Sequence, residues 1–340
     1  MRNSPLTICD VTIQPGEKLT LALPTPQLYA CAPLHMPIHV IHGKTAGPVL
    51  LICATLYGDE LNGIDIVNRL LNLHLLKKIA GTIICIPVLN MYGLMNRSRL
   101  LPDGRDLAEA FPGSEKGSFT ARLAHLFSTK IIDHITHCIN IRCGMGPIYK
   151  LPQVYYHPED PVACDLAETF GVPVIRTSDE KTGFFYSESG APKCPTLIFE
   201  AGEAHRTDDF SSKIGVRGIV RVLRRLQMIR TKNKGKTTAS IHVKSADWLR
   251  ASGSGLFHFR KKVGQTVAQG EKVGVIEDPF GTEFPFDVIA PQSGIITAIT
   301  TYPHVYEGQG IIEVCSTQEN EQCLAMFDAH PSDIEVVTKL

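Results

Sequence analysis

Two carboxylates in this sequence lie at or shortly after the ends of short apolar runs, where they could belong to one charged site. Glu60 ends the segment YGDE after the apolar run 49–56, and Glu200 follows the run 196–199. Paired carboxylates can exchange protons or hold a metal ion, but two of them facing one cavity need a nearby cation. Guanidinium groups suited to a ligand's carboxylates are also present, on Arg97, Arg99 and Arg105. Residues of these types could take part in acid–base chemistry, in holding a metal ion or in charge pairing.

The segments around these residues predict an α/β fold, because apolar runs of strand length alternate with amphipathic helical segments up to about residue 229. Both carboxylates then follow predicted strands. We predict strands over 49–56, 82–88, 138–141, 172–175 and 196–199. We predict helices over 62–76, 119–132, 161–170 and 214–228.

The chain of 340 residues is long enough for more than one domain. We predict an α/β domain over 1–229, a linker over 230–240, an all-β barrel over 241–316 with Gly and Pro turns, and a polar tail over 317–340. The linker is basic and has no large apolar residue. It could bind an anionic partner, but a solvated connection is favoured.

Composition argues against several classes of function. Lys plus Arg and Asp plus Glu each total 34, so the charge balance does not suggest a nucleic-acid partner. Apolar stretches are shorter than the roughly 20 residues that a membrane helix needs, and the N-terminal residues lead into no signal-peptide core. The ten cysteines form no Cys-x-x-Cys pair and are expected to be reduced. We predict a cytoplasmic protein without membrane contact.

Six short segments resemble, in order, motifs of the succinylglutamate desuccinylase/aspartoacylase family. They are YGDELNG at 57–63, VLNMYG at 88–93, NRSR at 96–99, PDGRDL at 102–107, FPG at 111–113 and EAGE at 200–203. The resemblance implies a zinc-carboxypeptidase-like mixed sheet flanked by helices, followed by the biotinyl/lipoyl-type barrel that many members carry. It also implies a zinc ion held by His, Glu and a distant His, and hydrolysis of an acyl-amide bond.

Carried over residue by residue, the resemblance makes Glu60 a zinc ligand and Glu200 the general base. Arg97, Arg99, Arg105 and Asp106 then match positions that shape the substrate pocket. Their presence could mean a preserved anion-binding cleft or only a preserved loop structure, since arginine and aspartate also brace loops. We expect an anionic small molecule as ligand, and a protein partner or a second copy of the chain as further partners.

The same comparison shows where the sequence departs from the family. Tyr57 stands at the first histidine ligand, Arg142 at the second, and the segment DLAE at 106–109 replaces Asp-Leu-Asn-Arg. Tyrosine is a poor zinc ligand when neutral, and a guanidinium has no lone pair to offer. Zinc, expected for the family, is therefore doubtful here. We predict a pseudoenzyme that acts as a binding or regulatory scaffold; the alternative is a zinc-dependent hydrolase of an N-acyl amino acid or related amide.

Three smaller expectations follow. Arg142 should form a salt bridge with Glu60, Glu200 or both, unless it points to solvent. The histidines at 35, 39, 42, 134 and 137 should be structural or lie on the surface. The barrel should carry no biotin or lipoate, because Glu283 stands about where the modified lysine would be, while Phe280, Phe284 and Phe286 offer apolar surface for packing or a partner.

Overall fold

The computed structural model describes residues 2–27, 34–178, 193–230, 240–243, 245–282 and 284–316. The predicted tail, nearly all of the predicted linker and Glu283 lie outside these residues. The first nine strands are β1 (Leu6–Ile8), β2 (Val11–Ile13), β3 (Lys18–Pro24), β4 (His35–His42), β5 (Thr45–Ala54), β6 (Ala80–Ile86), β7 (His137–Gly144), β8 (Ile148–Tyr156) and β9 (Val174–Thr177). The helices are α1 (Leu61–Leu71), α2 (Met91–Asn96), α3 (Phe119–Lys130), α4 (Pro161–Phe170) and α5 (Asp209–Arg225).

Ten further strands complete the description, beginning with β10 (Thr196–Glu203). The other nine, β11 to β19, are called the C-terminal strands below. They are β11 (Ile241–Val243), β12 (Ala246–Arg250), β13 (Gly255–Phe259), β14 (Thr266–Val267), β15 (Lys272–Glu277), β16 (Phe286–Ile289), β17 (Gly294–Thr300), β18 (His304–Val305) and β19 (Gly310–Cys315).

A large mixed sheet forms the centre of the molecule. Its strand order is β12-β19-β17-β8-β10-β7-β5-β6-β4-β3, with β9, β11 and β14 joined at its side. The inner strands β6, β5, β7 and β10 are parallel, whereas β8 runs antiparallel to β10 and β4 runs antiparallel to β6. This confirms the predicted mixed sheet flanked by helices. The carboxyl ends of the parallel strands meet at one edge, which is where open α/β sheets bind ligands.

Strand alternation divides the apolar side chains between two cores. On β5, Leu50 and Ile52 pack with α1, α4 and α5, whereas Leu51 and Cys53 pack with α3. Among the described helices none is both long and apolar enough to cross a membrane. The cysteines that the structure describes are free thiols.

The predicted strands and helices are all present, although most of their ends differ. The helix predicted to run to 76 ends at Leu71, and the helix predicted from 214 begins earlier because Asp208 accepts hydrogen bonds from the backbone of Phe210 and Ser211. Strand β8 was not predicted. Pro152 lies inside it, and a proline weakens the strand signal because it cannot donate to the ladder.

The C-terminal strands divide between two sheets. Strand β17 pairs with β8 of the large sheet, while β16, β15, β13 and β18 form a separate four-stranded sheet. Phe280 and Phe284 are 86% and 93% exposed, whereas Phe286 is half-buried and packs against the local core. The division into domains and the likeness to a biotinyl/lipoyl barrel stay predictions.

Candidate functional site

The loop after β5 is held rigidly against neighbouring loops. Thr55 has a positive φ of 54°, unusual for a β-branched residue, and its buried hydroxyl donates to the carbonyls of Glu60 (3.0 Å) and Pro87 (3.1 Å). Gly58 has no room for a side chain, because a Cβ there would lie 1.9 Å from the Gly93 carbonyl carbon. These contacts fix Tyr57 and Glu60 at the carboxyl end of the sheet.

Glu60 is buried beside a cation. Its carboxylate accepts a hydrogen bond from the Arg142 Nε at 3.3 Å and another from the Tyr57 backbone N–H at 3.1 Å, and its side chain is 1% exposed. Burial raises the pKa of Glu60, while Arg142 opposes that shift. The predicted salt bridge from Arg142 is therefore confirmed for Glu60.

Glu200 is held by a different cation, which the sequence analysis missed. The Lys150 Nζ lies 2.8 Å from Glu200 Oε2. Strand β8 reaches it through a bulge: Gln153 pairs with Glu200 but Lys150 pairs with Gly202, so an extra residue fits in near Pro152. Burial opposes ionisation of Glu200, but Lys150 and Arg142 together hold its pKa below the ordinary value. At neutral pH Glu200 is thus an ionised, paired carboxylate and a weak base.

Tyr57 lies between two guanidinium groups and an acid. The Arg99 and Arg142 Cζ atoms are 3.7 Å and 4.9 Å from its ring centroid, and its hydroxyl donates to Asp106 Oδ2 at 3.0 Å. Burial raises the pKa of Tyr57 to about 12, with Asp106 adding to the shift and Arg142 opposing it. The phenol is therefore protonated at neutral pH.

Replacing Tyr57 with phenylalanine should lower the free energy of unfolding by about 1 kcal/mol, because the ring contacts remain and only the hydrogen bond to Asp106 is lost. Urea unfolding measures the change. The control is Tyr302→Phe, at a side chain that is 61% exposed, where no measurable change is expected. Equal effects in the two variants would mean that the bond to Asp106 adds nothing.

The remaining predicted site residues fall into two groups. Arg99 and Asp106 both contact Tyr57, and Arg99 also pairs with the buried Asp59 at 3.4 Å. Arg97 and Arg105 are exposed, Arg97 at the left-handed position that ends α2. The structure thus gathers Arg99, Asp106, Glu60 and Arg142 around Tyr57 and leaves the other two arginines on the surface.

The histidines considered as ligands have other partners or lie at the surface. His42 is buried, with Nδ1 2.8 Å from the Thr82 hydroxyl and Nε2 2.9 Å from the Ser4 carbonyl. His39 contacts Thr20 at 3.0 Å, and His137 contacts Thr136 at 2.8 Å, while His35 and His134 are exposed. This confirms the structural or surface roles predicted for them.

The donor atoms around Glu60 do not fit a zinc ion. Zinc in proteins takes thiolate, neutral imidazole or carboxylate ligands, whereas Tyr57 offers a protonated phenol already bonded to Asp106. Arg142 cannot give up its proton here, because Glu60 and Glu200 favour its charged form over the effect of burial. A dication approaching Glu60 would meet the guanidinium groups of Arg142 and Arg99. No step through zinc is derived for this site.

The mixed sheet and the charged site at the carboxyl ends of its parallel strands define an α/β protein with a candidate ligand site at the sheet edge. The chain belongs to the succinylglutamate desuccinylase/aspartoacylase family, because the model of that family's catalytic domain matches residues 46–226, more than half of the chain.

Similar proteins agree with this assignment. The N-alpha-acetyl-L-2,4-diaminobutyric acid deacetylase of Halomonas elongata is 21% identical over 297 residues, which are 84% of this chain and 86% of the relative. A succinylglutamate desuccinylase/aspartoacylase from Rhodobacter sphaeroides, known from its crystal structure, is 25% identical with a TM-score of 0.77. The match covers 88% of this chain and 96% of the Rhodobacter sphaeroides chain. The product-bound ectoine utilization protein EutE (DoeB) of Ruegeria pomeroyi shares the fold at 21% identity and a TM-score of 0.76. This match covers 92% of this chain and 98% of the Ruegeria pomeroyi chain.

Proposed function

We propose that this chain uses the deacylase fold as a metal-independent scaffold that binds a small anionic ligand. The observation that carries the proposal is the Arg142 Nε beside Glu60, at 3.3 Å, where the family would hold a metal. Since Glu60 is the family ligand that this sequence retains, its pairing with Arg142 removes the anchor for zinc.

The charge balance supports the same proposal. A zinc ion would bring two positive charges to Glu60 and Glu200. Here Arg142 and Lys150 bring two, one for each carboxylate. The carboxylates are therefore compensated by side chains, as buried charges require.

The proposed ligand is an acylated amino acid or a similar carboxylate. The Arg99 side chain lies against Tyr57 and is 28% exposed, so its guanidinium group is open to a ligand's carboxylate, and Arg97 and Arg105 add exposed guanidinium groups. The Halomonas elongata relative is named for an N-acetylated diamino acid, which has such a carboxylate. We further propose a cytoplasmic protein with the domain limits given above and a C-terminal barrel, free of biotin and lipoate, that binds a protein partner or a second copy.

The second candidate is hydrolysis of an N-acyl amino acid or related amide. The relatives favour this function over a scaffold, because the Halomonas elongata protein is named a deacetylase and the family model is that of a catalytic domain. Two observations argue against hydrolysis. Glu200 is paired with Lys150, which weakens it as a base, and the donor atoms around Glu60 do not fit a zinc ion.

Titration calorimetry with N-α-acetyl-L-2,4-diaminobutyrate, N-succinylglutamate and N-acetylaspartate separates the two functions when product release is measured on the same samples. The scaffold proposal predicts binding of at least one of these without product, and binding about tenfold weaker in Arg99→Met, since a charge-assisted hydrogen bond is lost. Arg260→Met, at an exposed arginine directly after β13, is the control and should bind as the wild type does.

Two results would decide against the scaffold. Product release that needs added zinc and is abolished in Glu60→Gln would establish the hydrolase. Absence of both binding and product with all three compounds would reject this ligand class.

A further inference from the structure

A line of buried polar contacts runs from the candidate site into the C-terminal strands. The Lys150 Nζ contacts Glu200 at 2.8 Å and the Tyr155 hydroxyl at 3.4 Å. On its other side the Tyr155 hydroxyl is 3.5 Å from the Arg176 Nη1, which pairs with Glu313 at 3.1 Å. Four contacts therefore connect the general-base position of the family to Glu313.

Glu313 belongs to β19 and is itself firmly held. It is 5% exposed, and its Oε2 accepts a hydrogen bond from the Thr297 hydroxyl at 2.6 Å. Backbone pairing runs alongside this contact, because Ala298 of β17 lies opposite both Lys150 and Glu313. The C-terminal strands are thus connected to the site in two ways: by the backbone pairing of β17 with β8 and by the buried carboxylate of Glu313.

The charges along this line alternate in sign except where two cations, Lys150 and Arg176, are neighbours on either side of Tyr155. In order they are Glu60, Arg142, Glu200, Lys150, Arg176 and Glu313. The Arg176 side chain is 16% exposed and that of Glu313 is 6% exposed, so neither is freely solvated. Removing Glu313 would leave Arg176 as an uncompensated cation near Tyr155 and Lys150.

We propose that Glu313 is a positioning residue for the candidate site, which acts through Arg176 and Tyr155 to hold Lys150 charged against Glu200. A residue of the C-terminal strands then helps to set the charge state of the Lys150 amine on β8. This inference does not depend on the ligand or on hydrolysis, so it stands or fails independently of the proposed function.

The direction of the effect on Lys150 follows from its surroundings. Burial disfavours the charged form of Lys150, but Glu200, Tyr155 and Glu313 together hold its pKa above the ordinary value. Neutralising Glu313 removes one favourable charge and leaves the Arg176 cation uncompensated. Both changes lower the pKa of Lys150 and increase the fraction of neutral, nucleophilic amine.

Competitive labelling of the full chain with acetic anhydride, read by mass spectrometry, measures this fraction for each lysine. In Glu313→Gln the Lys150 labelling rate should rise about tenfold, the equivalent of about one pKa unit. Lys130 and Lys213, which form ion pairs with aspartates at the surface, are the internal references. Their labelling rates should not change. Glu313→Asp, which keeps the charge, should restore most of the low rate.

The matched control is Glu203→Gln. Glu203 is also buried, and it accepts a hydrogen bond at 2.6 Å from Thr301, which follows β17. A Lys150 rate that is unchanged in Glu313→Gln, or that rises equally in Glu203→Gln, would overturn the proposal, because the second result indicates general loosening. If Glu313→Gln does not fold, Thr297→Val gives a milder test, in which a rise supports the proposal and an unchanged rate overturns it.

Discussion

Replacing Arg142 with methionine is expected to lower the free energy of unfolding by about 3–5 kcal/mol at neutral pH, the usual cost of leaving one partner of a buried ion pair alone. Glu60 would remain in a pocket where its side chain is 1% exposed and would lose its cation. Urea unfolding at several pH values measures the loss.

The loss should depend on pH in a defined direction. Burial raises the pKa of Glu60, and the variant lacks the Arg142 charge that opposes this shift. A carboxyl with a folded pKa above its unfolded pKa destabilises the protein when ionised, so the destabilisation grows as the pH rises through the folded value. It should disappear as the pH falls below the unfolded value, so the variant approaches the wild type in acid.

The control for this prediction is the double variant Arg142→Met with Glu60→Gln, in which the buried negative charge is also removed. It should recover most of the stability at neutral pH, because a neutral amide needs no cation. A deficit that is the same at every pH, and that the second substitution does not reduce, would mean that Arg142 acts through packing alone.

Restoring both histidines, with Tyr57→His and Arg142→His together, is expected to create a zinc site with about one ion per chain. The double variant would place two imidazoles beside Glu60 and remove the Arg142 guanidinium charge. It should also become more stable with added zinc, because an ion that binds the folded state shifts unfolding by mass action. Elemental analysis and thermal unfolding with and without zinc measure the two effects.

The controls are the variant Tyr57→Phe with Arg142→Met, which removes the same groups without adding ligands, and each single histidine variant. None of these should hold zinc stoichiometrically, since fewer than three ligands remain. Zinc binding by the phenylalanine and methionine variant would show that the donors assigned to positions 57 and 142 are not needed. Failure of the histidine variant to bind zinc while folded would show that the loop geometry has also departed from the family.

The sequence predicts those site residues that lie in recognisable local segments, such as a loop directly after a buried strand. Tyr57 and Glu60 share one loop after a buried strand, and Arg142 lies near the end of another strand, so their meeting at one sheet edge follows from parallel topology. The salt bridge then follows from charge. Likewise, α4 was predicted with its observed ends, because Asp160 caps its start and Gly171 adopts the left-handed conformation after its end.

The rest depended on contacts between distant segments. Lys150 reaches Glu200 only because of the bulge near Pro152, and neither the strand nor the bulge has a clear pattern in the sequence. The stacking of Arg99 on Tyr57 joins two loops through tertiary packing, and the pairing of Arg176 with Glu313 joins residues 137 positions apart. Such contacts have no period or spacing from which they could be deduced.

The measurement that tests the central claim most directly is the metal content of the wild-type chain, purified without a metal-affinity tag, before and after zinc supplementation, with Glu60→Ala as control. If Arg142 has replaced the metal beside Glu60, zinc stays far below one ion per chain in both samples and does not differ from the control. Stoichiometric zinc that disappears in Glu60→Ala would contradict the account and establish a metal-dependent hydrolase as the function to pursue.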